Sequence, residues 1–95
     1  MKIIKSYMGT TSTEEARLKE KFTLHGVEFA TARDSSRLYP FRAYHYASGQ
    51  PVGDSKKLFK EVREAVEKEV DKLFSAEKWA NFTQKISTLE IINPK

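Results

Sequence analysis

The chain contains no cysteine. Disulfide staples, thiolate nucleophiles and Cys-ligated zinc are therefore excluded. A small secreted domain usually depends on disulfides, so their absence points to a cytoplasmic protein. Long apolar runs are missing too. No segment approaches the ~20 residues of a membrane-spanning helix. The charged start Met1-Lys2-Ile3-Ile4-Lys5 is not followed by the apolar stretch of a targeting signal, and no membrane partner is expected.

Histidine is scarce: His25 and His45 are the only two. They show neither H-x-x-x-H nor H-E-x-x-H spacing, so no metal site is expected. Serine and threonine are plentiful, but none stands in a G-x-S-x-G frame. The segment Gly9-Thr10-Thr11-Ser12-Thr13 lacks the lysine and second glycine of a P-loop. No base, nucleophile and orienting group are brought together by the pattern. The expectation is no catalytic residue, no cofactor and no enzymatic activity.

What is present is charge and aromatic mass. The 95 residues are 39% hydrophobic, 32% charged and 12% aromatic, with a formal net charge of +4. That length fits one α+β domain over residues 1–95 with a modest core. No repeat, linker or low-complexity run divides it.

Lys2 to Met8 reads as a first strand ended by Gly9. Ser12 and Glu15 form a capping-box pattern, and the reading that follows is a helix from Thr13 to Leu24, with Gly26 past its end. A hairpin turning at His25-Gly26 is the competing reading. Val27 to Ala32 and Phe41 to Ala47 read as strands. In the latter, Phe41, Ala43, His45 and Ala47 share one face and Arg42, Tyr44 and Tyr46 the other.

Residues 48–53 read as a breaker-rich loop. Asp54 or Ser55 then caps a second helix to about Phe74. Its apolar arc comprises Leu58, Phe59, Val62, Val66, Val70, Leu73 and Phe74 on a 3.6-residue period. Ser75 caps a third helix carrying Trp79, Phe82, Ile86 and Leu89. Residues 88–94 allow a short closing strand. The order is β-α-β-β-α-α, with three or four mainly antiparallel strands covered by two or three helices. A closing strand would bring it near a ferredoxin-like arrangement with an extra helix.

One asymmetry carries the functional reading. Between Arg33 and Lys60 six cations face only Asp34 and Asp54, an excess equal to the net charge of the whole chain. Three of the four tyrosines fall in the same window. Arginine offers a planar fork of donors to carboxylate or phosphate. Tyrosine offers broad contact area at small entropic cost. The expected partner-binding residues are Arg33, Arg37, Tyr39, Arg42, Tyr44, Tyr46, Lys56 and Lys57. The reading is a non-enzymatic module that engages an acidic protein surface and regulates or inhibits its partner. The alternative is nucleic acid or a phosphate-bearing ligand at the same patch. Aromatic alternation on one strand also occurs in RNA-recognition motifs, but the Gly-containing RNP1 pattern is absent from Arg37 to Ala47, so no family is assigned. Self-association through the wide arc of the second helix is a third expectation.

Overall fold

A computed structural model describes residues 1–73 and 76–94. It is an α+β protein with six strands in two antiparallel sheets and two helices. The strands are β1 (Lys2–Tyr7), β2 (Thr10–Glu15), β3 (Arg17–Leu24), β4 (Val27–Arg33), β5 (Phe41–His45) and β6 (Pro51–Lys56), followed by α1 (Phe59–Leu73) and α2 (Ala76–Ser87). Strands β1 and β2 form a hairpin, and β3-β4-β5-β6 form a meander in that order. The ferredoxin-like order is not observed.

The helix expected from Thr13 to Leu24 is replaced by β2 and β3. Two-residue turns explain why. Met8-Gly9 and His25-Gly26 all adopt positive φ (49° and 80°; 50° and 80°), the signature of tight hairpin turns whose twist matches the strands. Around the second turn the apolar residues pair across the hairpin, Leu24 with Val27 and Phe22 with Phe29. That cross-strand match outweighs the thin helical stripe and the capping-box pattern. The competing hairpin reading is the correct one.

Residues 51–56, expected as the end of a loop to Gly53 and then the cap and start of a helix, form the edge strand β6. Proline is tolerated at its first position, and Gly53 (φ 75°) lies where the register between β5 and β6 shifts. Asp54 and Ser55 therefore belong to a strand, and α1 begins four residues later than Ser55. The expected end of that helix at Phe74 and the Ser75 cap lie outside the described residues. Among the described residues no closing strand forms after α2. Instead Ile92 and Asn93 both donate backbone N–H groups to Ala47 O.

The main sheet is covered on both faces. On one, α1 seats Val62, Val66 and Val70 against Phe22, Phe29 and Ala43, with Trp79 and Phe82 of α2 alongside. Val62, Val66 and Val70 of the arc expected to support self-association are thus covered within the chain, whereas Leu58 and Phe59 at its start remain exposed. On the other face the β1–β2 hairpin brings Ile3, together with Ala16, over Ala32 and Tyr44. The hairpin is tied to the β5–β6 turn by Ile4 N–H on Gly49 O at 2.9 Å.

Candidate functional site

The strand register lines up one residue from each strand at one end of the main sheet: Arg17, Arg33, Phe41 and Lys56. Cross-strand partners project to the same face. Phe41 packs on the helix-side core and meets the Phe59 ring edge-on at 6.1 Å, so the row lies on the helix-bearing face beside the start of α1. The Arg33 guanidinium stands 5.9 Å from the Phe41 ring centroid, a cation–π distance. Arg17 was not singled out by its sequence. Only the register of β3 against β4 places it here.

Two connections emerge at the same end. The β4–β5 loop, residues 34–40, exposes Arg37, Leu38 and Tyr39. The β6–α1 link exposes Lys57 and Leu58, and Phe59 opens α1. Large apolar side chains stand out here: Leu38 is 67% exposed, Tyr39 51% and Leu58 50%. Most exposed apolar residues on a protein are scattered singly, so several at one end flanked by cations form a distinct feature.

The loop is held by its own polar groups. Asp34 N–H donates to Pro40 O, Asp34 Oδ1 accepts Ser36 N–H, and Ser36 Oγ accepts Tyr39 N–H. The Asp34 carboxylate is turned inward and lies 3.5 Å from Lys5 Nζ on the hairpin. Its charge is therefore taken by β1 and does not offset the loop cations. Among the described residues, Arg17, Arg33, Arg37, Lys56, Lys57 and Lys60 make no ion pair.

The eight expected residues divide between places. Arg33, Arg37, Tyr39, Lys56 and Lys57 share the sheet end just described. Arg42, Tyr44 and Tyr46 lie on the opposite face, as strand alternation requires. Tyr44 corrects the expectation: it is only 2% exposed, because the β1–β2 hairpin covers its face. It is a core residue, and burial pushes its phenol up to about 12. Arg42 is half-buried and donates from Nε to Gly53 O at 2.9 Å, taking the carbonyl of the β6 irregularity. Tyr46 is half-buried with the Lys21 ammonium 4.0 Å above its ring, toward the other end of the sheet.

The opposite end holds a cleft of about 600 Å³, with His45 and Ile86 among its walls. His45 Nδ1 is hydrogen-bonded to Ser48 Oγ at 2.7 Å, and that oxygen also accepts Gln50 N–H. Ser48 is 4% exposed. The pair closes the β5–β6 turn and does not present a hydroxyl for attack. Burial lowers the imidazole pKa, so the ring is neutral at physiological pH. Among the described residues no group of three or more His, Asp or Glu is placed to hold a metal ion, and no helix is long and apolar enough to cross a membrane.

Compared with protein-family models, curated proteins and solved structures, the chain matches none.

Proposed function

We propose that the protein is a non-enzymatic binding module that engages an acidic protein surface, regulating or inhibiting its partner, through the sheet end that carries Arg33, Arg37, Tyr39, Lys56 and Lys57. The observation that carries this reading is the coincidence of unpaired cations with exposed Leu38, Tyr39 and Leu58 at that end. Desolvated apolar anchors supply affinity, and surrounding charge supplies steering and selectivity. Arg17 joins the charged set.

The same cations would attract nucleic acid. Base stacking, however, needs exposed ring faces. The withdrawal of Tyr44 leaves Tyr39 as the principal exposed aromatic beside two leucines. Aliphatic anchors suit a protein partner better.

The test compares wild type with Leu38→Ala/Leu58→Ala and with Arg33→Ala/Lys56→Ala. Quantitative capture from host lysate is paired with a salt-dependent titration of single-stranded RNA. The proposal expects a defined set of acidic proteins that both double variants lose, each by tenfold or more. It fails if the leucine pair changes nothing while RNA binds with log affinity falling steeply with log salt.

A further inference from the structure

Two clefts border α2 and meet at His45, Ile86 and Leu89. One, of about 600 Å³, extends toward Val27 and Ala47, and the other, of about 240 Å³, toward Val52 and Phe82. His45, at the junction, is only 9% exposed. Its ring stands edge-on to Phe29 at 6.4 Å, and its Nδ1 lies 2.7 Å from Ser48 Oγ. That oxygen accepts Gln50 N–H at 3.3 Å, and among the described residues the Ser48 hydrogen has one acceptor, Nδ1. Nδ1 therefore accepts, and in a neutral imidazole the ring hydrogen then sits on Nε2. Burial lowers the pKa of the ring and keeps it neutral at physiological pH. Nε2–H is thus a donor on the ring edge turned away from Ser48. It makes no hydrogen bond among the described residues and is not sealed in, so it opens onto the clefts.

We propose that this junction binds a small uncharged molecule with an apolar body and one acceptor oxygen, the oxygen on His45 Nε2–H and the body against Val27, Ile86 and Leu89. Three observations fix that class. The ring offers one fixed donor, which calls for one acceptor and orients it. The walls around it are largely aliphatic, and the volume of the first cleft suits a small ligand, such sites spanning roughly 300–1,000 Å³. Charge argues against an anion. Besides His45, the ionisable group among the described walls of that cleft is Glu28, already paired with Lys21 Nζ at 3.4 Å. A carboxylate entering there would meet Glu28, and a neutral imidazole supplies no counter-charge. The site lies at the opposite end of the sheet from the cationic surface and does not depend on it.

The experiment is an NMR titration of the intact ¹⁵N-labelled chain with three probes of one shape. Acetophenone carries the acceptor oxygen, α-methylstyrene has a methylene group in its place, and benzoate is charged. Expected are saturable shifts at His45 Nε2 and at the amides of Val27, Ala47 and Ile86 with acetophenone. α-Methylstyrene should bind about fivefold more weakly for want of one hydrogen bond, and benzoate should give no saturable shift. His45→Phe keeps a ring in place without the donor, and should bring acetophenone down to the level of α-methylstyrene. The comparison of probes on the wild type decides the matter even where that variant fails to fold. Acetophenone shifts that grow without saturating, α-methylstyrene or benzoate binding as tightly as acetophenone, or a ring hydrogen found on Nδ1 would each overturn the proposal.

Discussion

Asn93 grips the peptide of Lys2 from both sides. Its Oδ1 accepts Lys2 N–H at 2.8 Å and its Nδ2 donates to Lys2 O at 2.7 Å. The same Nδ2 donates to Tyr46 O at 2.9 Å. One amide thereby joins the first strand, the end of β5 and the C-terminal segment, and it is 7% exposed.

Asn93→Ala should cost about 3 kcal/mol in urea unfolding, because three hydrogen bonds vanish and backbone groups lose their partners. Asn93→Asp should be at least as damaging at neutral pH. It keeps the acceptor for Lys2 N–H but sets an anion against two carbonyl oxygens.

Gly49 is the second pin. Its φ is +70°, and a Cβ there would fall 2.7 Å from Ile92 Cδ1 and 2.8 Å from Lys2 O. Gly49→Ala combines left-handed strain with overpacking against backbone, and should lower stability by about 3 kcal/mol. The Gly26→Ala substitution meets nothing within 4 Å and should cost only the strain of its φ, about 1 kcal/mol. Thermal melts of the two variants side by side test the contrast.

Stability should fall in two stages on acidification. Burial holds His45 below its usual 6.5, so the unfolded chain protonates first and stability declines as pH drops below that value. The hydrogen bond to Ser35, then the Lys5 ammonium, holds the Glu14 carboxyl below its usual 4.5. Its stabilisation is complete above that pH and is lost as pH falls through the folded value. Denaturation midpoints from pH 8 to 3 should show His45→Gln flattening the first stage and Glu14→Gln the second.

Val66 and Leu58 separate packing from surface. Val66 is 1% exposed beneath α1, and Val66→Ala should cost about 2 kcal/mol from two lost methyl groups and the remaining cavity. Leu58 is 50% exposed, so Leu58→Ala should change stability by less than about 0.5 kcal/mol while weakening partner capture.

The legible parts of the fold were those with one dominant period. Val62, Val66 and Val70 marked the buried side of α1, and Phe41, Ala43 and His45 marked the helix side of β5. Residues 10–24 misled because Ser12 and Glu15 match a helix start, while the hairpin turns carry methionine and histidine before glycine where asparagine or aspartate is usual. At Tyr44, alternation separated the two faces of β5 correctly but could not tell that both are covered. That depends on the β1–β2 hairpin folding back, which is a tertiary event. Arg33, Lys56 and Lys57 were legible as a charge excess, whereas Arg17 joins them only through strand register.

Every strand pair in the two sheets joins neighbours along the chain, so each zips through a short loop at little entropic expense. The Asn93–Lys2 clasp, by contrast, closes a span of 91 residues. It should form late and open first, giving amide hydrogens on β1 faster exchange than those on β4 and β5. A molecule fastened this way has a latch whose release frees one strand edge while the central meander stays intact.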